Sequence, residues 1–254
     1  MFGLPEISIS TTGLPTGSSD PRAAIDLVAS QAARGIAIDA MISGMRPREL
    51  TRSARRDIAA SLRRRELEFT GLDLWIPQDH FTDPINAQRA IEATQQACEM
   101  SVEIASLVGS RSKPIVSIVL PIDLGEIERI AIGAHAQRVG ATIADHQVID
   151  HESFTPTPGV GIGIDPTMIL MTGNSAGKAI TQAGSQLVAA RLSDSSAMGR
   201  CVVGAPGSQL DLKGYAGALI VASQDWVTLD LRQLPEPIEA IARSRQAWVD
   251  AGTL

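Results

Sequence analysis

Short β-type runs alternate with helical patterns along the whole chain, and this alternation constrains the fold more than any single motif does. Strand-like runs fall at 7–11, 35–41, 69–76, 114–120, 141–144, 161–165, 187–192 and 226–231. Between them, apolar residues recur at helical spacing over 21–34, 47–67, 83–108, 124–139, 175–184, 212–223 and 237–251. Asp20 is placed to cap the first helix, with Pro21 at its first position and Gly35 as its stop. The run at 114–120 (PIVSIVL) is apolar almost throughout, as a strand covered on both faces requires. A helix after each strand predicts a parallel sheet. Eight such units in 254 residues fit one closed (β/α)8 TIM barrel spanning 1–254, with an open doubly wound sheet as the alternative. The stretches 150–160 and 195–211 read as loops.

Composition narrows the function classes. Apolar residues make up 44% and charged residues 20%, the balance of a globular chain and not of a disordered one. Aromatic residues are only 3%, too few for a stacking platform on single-stranded nucleic acid. The net charge of −6 argues against a general nucleic-acid binder, which needs a basic surface. Cys98 and Cys201 stand far apart without CxxC or Cys/His spacing, so neither a disulfide framework nor a zinc knuckle is expected. The first residues lack the basic and apolar regions of a signal peptide, and no run of 18 apolar residues exists to span a membrane. A cytoplasmic setting is expected, with a homo-oligomer as an open option. The arginines at 52–65 form a basic helix face, read as solvated and paired with Asp57, Glu66 and Glu68.

In a barrel of this kind chemistry sits at the C-terminal ends of the strands. The polar residues there are Asp39, Asp73, His80, His146, Asp165, Arg191, Asp194, Asp230 and Arg232. The glycines at 159, 161 and 163 precede a strand, so they do not read as a dinucleotide loop.

Four segments carry a resemblance to a known family: LDLWIP at 72–77 followed by HFTDP at 80–84, GIDPTMILMTG at 163–173, ARLSD at 190–194, and WVTLDLR at 226–232. Gly204, Gly207 and Asp211 add a glycine-rich loop between the last two. In order and spacing these resemble the sugar phosphate isomerase/epimerase group of xylose isomerase-like barrels. The resemblance implies aldose–ketose isomerisation or epimerisation next to a carbonyl, with one divalent metal (Mn, Mg, Co or Zn). Family ligands are a Glu, an Asp, a His and a Glu from strands five to eight. Carried over, these positions hold Asp145 or His146, with His146 in the better register, then Asp165, Arg191 and Asp230. Arginine stays protonated and has no acceptor, so Arg191 cannot ligate a metal. The resemblance therefore implies either a weakened site of His146, Asp165 and Asp230 or no metal at all.

Each position has two readings. Asp165 precedes Pro166 and reads as a ligand or as a helix cap. His146 reads as functional or as a loop hydrogen bond. Arg191 reads as an anion receptor or as a salt bridge to Asp165 or Asp230. Arg232 reads as a substrate contact or as a partner of Glu236 or Asp230. Trp75 and His80 are placed to line a substrate pocket, and Asp194 to touch substrate or to anchor a loop. His151 lies in a loop and is discounted as a site residue, as is His135 on its helix.

Two functions follow. One is a sugar or sugar phosphate isomerase/epimerase, with Asp165, Asp230 and His146 as catalytic groups and Arg191 stabilising an enediolate. The other is a catalytically inactive barrel that binds a small anionic or polyol ligand or a partner protein. An abasic-site endonuclease of the same fold would need many more metal ligands than four histidines and an acidic surface offer.

Overall fold

A closed ring of parallel strands organises the chain in the computed structural model, which describes residues 3–15, 21–147 and 157–252. The strands are β1 (Glu6–Ser10), β2 (Gly35–Asp39), β3 (Glu68–Asp73), β4 (Ile115–Ile118), β5 (Thr142–Asp145), β6 (Val160–Ile164) and β7 (Leu187–Leu192). A short antiparallel hairpin follows, β8 (Asp194–Ser196) and β9 (Gly199–Cys201). Strand β10 (Trp226–Leu229) then closes the ring by pairing with β7 on one side and β1 on the other. All eight strand-like runs of the sequence become barrel strands, in the order β1-β10-β7-β6-β5-β4-β3-β2. This is the (β/α)8 barrel that the alternation predicts.

The helices are α1 (Pro21–Ser30), α2 (Arg52–Arg64), α3 (Asp79–Thr82), α4 (Ala87–Val108), α5 (Glu126–Val139), α6 (Pro166–Leu170), α7 (Ala176–Ala183), α8 (Leu212–Val221) and α9 (Pro237–Gly252). Among the described residues no helix is long and apolar enough to cross a membrane. Several boundaries differ from the sequence reading for local reasons. Helix α2 begins only at Arg52, because Thr51 caps it by accepting from the Ala54 amide. The expected helix at 83–108 is split: Asp83 precedes Pro84 and is extended, which ends α3 and delays α4 to Ala87. The stretch at 195–211, read as a loop, contains most of the β8–β9 hairpin. Asp20, His151 and most of the loop at 150–160 lie outside the described residues.

The basic face of α2 is paired, but with partners other than those expected. Arg55 meets Glu103 of α4 at 2.7 Å, and Arg65 meets Asp26 of α1. Asp57 pairs with Arg22, while Glu68 accepts from the Arg111 and Ser112 amides. Neighbouring helices supply charges across the interhelical groove that sequence-adjacent residues cannot reach.

Aliphatic residues fill the layer between barrel and helices, including Ile9, Ile36, Leu72, Val116 and Ile143. The barrel axis differs. Barrels of this type are usually packed with bulky branched side chains. Here Ala37, Thr70, Ser117, Thr142, Ala189 and Thr228 line a cavity of about 340 Å³ inside the ring. Thr70 shares a hydrogen bond of 2.6 Å with Ser8, from β3 to β1. Small side chains along the axis leave room for long ones at the C-terminal end.

Helix α8 is tied to the barrel through Tyr215, which is fully buried and donates its hydroxyl to the Arg191 carbonyl at 2.7 Å. Tyr215→Phe should destabilise the fold by about 1–2 kcal/mol, because a buried carbonyl loses its partner. Urea denaturation checks this through a lower midpoint at unchanged slope.

Candidate functional site

An ion pair spans the barrel beneath its C-terminal mouth. Arg191 lies one residue before the end of β7 and Asp73 ends β3; the two strands are four positions apart in a ring of eight and so on opposite walls. The guanidinium binds both carboxylate oxygens: Nη1 donates to Oδ2 at 3.1 Å, and Nη2 donates to Oδ1. The Ser10 hydroxyl of β1 donates to the same Oδ2 at 2.5 Å. Both charged side chains are almost wholly buried. The sequence reading paired Arg191 with Asp165 or Asp230. The structure corrects this, because the side chain reaches across the axis and takes Asp73.

Asp165 and Asp230 instead share two other arginines. Asp165 Oδ2 accepts from Arg200 Nη2 at 2.9 Å and Arg232 Nη2 at 2.8 Å. Asp230 Oδ2 accepts from Arg200 Nη1 at 3.1 Å and Arg232 Nη2 at 2.5 Å. The remaining oxygens are also engaged. Asp165 Oδ1 caps α6 through the Thr167 amide at 3.2 Å and accepts from the Ser193 hydroxyl at 2.7 Å. Asp230 Oδ1 accepts from the Arg232 amide and Nε, each at 3.0 Å. Asp165 is thus both a helix cap and an ion-pair partner. The Arg232 guanidinium lies 3.9 Å from the centre of the Trp75 ring, and Arg191 lies 5.0 Å from it.

These contacts set the protonation states. Burial alone would raise the Asp230 carboxyl, but Arg232, Arg200 and Arg191 outweigh it and hold the group well below the usual carboxylate range. Burial works against the charge on Arg232, yet Asp230, Asp165 and Asp73 raise it above its ordinary value. Three carboxylates, Asp73, Asp165 and Asp230, face three guanidinium groups, Arg191, Arg200 and Arg232.

His146 faces the barrel interior, whereas Asp145 beside it does not. Asp145 accepts from the Leu120 and Gln147 amides and pairs with Arg129 at 3.0 Å. The His146 Nε2 lies 3.2 Å from the Ser117 hydroxyl, and the ring packs edge-on to Trp75. A Cβ on Gly163 would come within 2.6 Å of this ring, so β6 needs glycine there. Burial, reinforced by Arg191 and Arg232, drives the imidazole well below its ordinary value and leaves it neutral.

Two expected site residues stand apart from this cluster. His80 is exposed on α3 and lines a separate pocket of about 450 Å³ with Met41, Arg46 and Arg89. Asp194 accepts from the backbone amides of Ser195, Gly204, Gln209 and Leu210, and so anchors the hairpin and the loop after it. Arg200 was not foreseen. Its signal was the small-residue turn around Gly199, which adopts φ +105 and folds β9 back over the mouth.

No protein-family model matches this sequence, and no curated protein matches it. Solved structures do share its shape. An L-ribulose 3-epimerase aligns over 98% of this chain and 96% of its own at 11% identity, with a TM-score of 0.71. A sugar phosphate isomerase/epimerase from Parabacteroides distasonis aligns over 98% and 96% at 12% identity, with a TM-score of 0.69. A probable 3-DHS dehydratase from Bacillus anthracis aligns over 94% and 97% at 10% identity, with a TM-score of 0.68. The chain shares the (β/α)8 barrel fold of these proteins.

Within this barrel the side chains do not fit a divalent ion. Among the described residues no three His, Cys, Asp or Glu side chains converge as a metal would require. The carboxylate oxygens of Asp165 and Asp230 already accept from nitrogen or hydroxyl donors, and Arg191 has no lone pair to offer.

Asp73→Asn should cost about 3–5 kcal/mol of stability, because it strands a buried guanidinium. The double variant Asp73→Leu/Arg191→Met should lose less than the single one, which a double-mutant cycle by denaturation measures. His146 gives a pH signature. Its folded value lies below its unfolded one, so acidification through the ordinary histidine range protonates the unfolded chain first. The stability advantage of the wild type over His146→Gln should therefore shrink as pH falls below about 6.5. Denaturation series at stepped pH would read this slope.

Proposed function

We propose that the barrel mouth binds a small sugar or polyol carrying a carbonyl, carboxylate or phosphate oxygen, and that Arg232 receives that oxygen. One observation carries this reading. Arg232 is the most accessible of the three arginines, with 21% of its side chain exposed against 7% for Arg200 and 2% for Arg191. Its Nε and Nη2 are held by Asp230 and Asp165, and its face rests on Trp75. Its Nη1 donates to no described protein group. A guanidinium fixed on one edge and open on the other is a preorganised receptor for an oxygen acceptor. The likeness of fold to an L-ribulose 3-epimerase and a sugar phosphate isomerase/epimerase supports a sugar as the ligand.

Proton transfer next to the ligand's carbonyl, as an isomerase or epimerase requires, is the second reading. Asp230 is a poor base, since its arginines stabilise the ionised form. Asp39 favours the reading instead. Burial, seconded by the charge of Asp73, raises its carboxyl above its ordinary value, the direction an acid–base group needs. His146, Asp165 and Asp230 then shape the pocket, and Trp75 holds Arg232 in place. Arg191 acts from below through Asp73.

Titration calorimetry with a neutral sugar, its aldonic acid and its phosphate tests the proposal. The acidic forms should bind, and Arg232→Met should weaken them at least about tenfold, or 1.4 kcal/mol. Equal affinity in the wild type and Arg232→Met, or no binding of any of the three, would sink it. Incubation of the ligand that binds, followed by analysis of epimers and ketoses, separates the enzyme from the binder.

A further inference from the structure

We infer that the Arg200 and Arg232 guanidinium groups are the resident cation of this site, and that the barrel works without a divalent ion. The inference deepens the reading of the mouth as a sugar or polyol pocket and concerns the same residues. Its basis is how the two carboxylates are used. Each guanidinium bridges both Asp165 and Asp230, and the Oδ2 atom of each carboxylate accepts from both arginines. The Oδ1 atoms are taken as well, by the Thr167 amide and Ser193 hydroxyl on Asp165 and by the Arg232 amide and Nε on Asp230. A carboxylate offers about four lone-pair positions, so both groups are saturated.

Charge balance points the same way. Two guanidinium groups cancel two carboxylates in a site where the Asp165 and Asp230 side chains are 2% and 1% exposed. A divalent ion added there would leave excess positive charge next to Arg191, in surroundings that screen poorly. It could enter only by expelling an arginine. The third side chain of the family-type ligand set, His146, is hydrogen-bonded to Ser117 inside the barrel.

The fold supplies Arg200 deliberately. Asp194 at the start of the β8–β9 hairpin accepts from the Ser195 amide and from the Gly204, Gln209 and Leu210 amides of the loop that follows, which ties together the segment that carries Arg200. An arginine keeps its charge throughout the working pH range, whereas a metal site must first deprotonate its ligands. Oxygen recognition at this mouth is therefore by N–H donors, whose geometry favours planar acceptors such as carboxylate and phosphate.

The test begins with the wild-type chain, stripped with EDTA, incubated separately with Mn²⁺, Mg²⁺, Co²⁺ and Zn²⁺, desalted and submitted to elemental analysis. Less than about 0.1 equivalent of each ion is expected, and EDTA should leave the melting temperature unchanged. About one equivalent that disappears in Asp165→Ala would overturn the inference. The second arm is Arg200→Met/Arg232→Met, which uncovers the two carboxylates. With only the two carboxylates as ligands, solvent would complete the shell of an added ion, so the variant's melting temperature should rise slightly on addition of Mn²⁺ or Zn²⁺, while the wild type stays unmoved. A soluble double variant indifferent to every ion would also overturn the inference, since the carboxylates would then form no cation site. If the double variant does not fold, the wild-type metal content decides alone. Failure of every sugar to bind a metal-free wild type would count against the pocket reading and leave this inference standing.

Discussion

The ion pair between Arg191 and Asp73 is the constraint on which the site depends. It joins opposite walls of the barrel, and both partners are buried. Such a pair does not add much net stability by itself, because desolvation offsets most of the attraction. Its weight lies in what it demands. A guanidinium crossing the axis needs space, and glycine, alanine, serine and threonine on the inner wall provide it. The charge also has to be answered by a carboxylate in the right place, and Ser10 fixes that carboxylate from a third strand.

Above this pair the electrostatics close on themselves. Arg232 and Arg200 answer Asp165 and Asp230, and Trp75 lies under Arg232 with Arg191 also near its face. One aromatic ring is therefore close to both a buried guanidinium and a more accessible one. The same field keeps His146 neutral, since two arginines stand close to it in a dry environment. An imidazole whose charged form is disfavoured and carboxylates that each accept from several donors line the floor of the mouth. Arg232 keeps one nitrogen, Nη1, without a partner among the described residues, and burial raises the Asp39 carboxyl above its ordinary value.

Relatives by shape cover nearly the whole chain at about a tenth identity. A (β/α)8 scaffold tolerates this because the apolar layer between strands and helices needs only volume and pattern, while the strand ends carry the chemistry. In this chain those ends hold arginines among the aspartates.

Alternation of short apolar runs with helical periodicity determined the barrel, because backbone hydrogen bonding and burial period are local properties of the chain. The same logic put Asp73, His146, Asp165, Arg191, Asp230 and Arg232 at strand ends, on the face where a site forms. Arginine's lack of a lone pair, a property of the residue type, could also be read without the fold. What the local pattern could not show was who meets whom. Arg191 and Asp73 are 118 residues apart and meet only because ring closure sets β7 opposite β3. Arg200 reaches Asp165 and Asp230 only because a hairpin without an apolar pattern folds back over the mouth. Sequence pattern assigns each residue to an element and a face. The partner of a long charged side chain is decided by the distance across the closed barrel, which no local pattern contains.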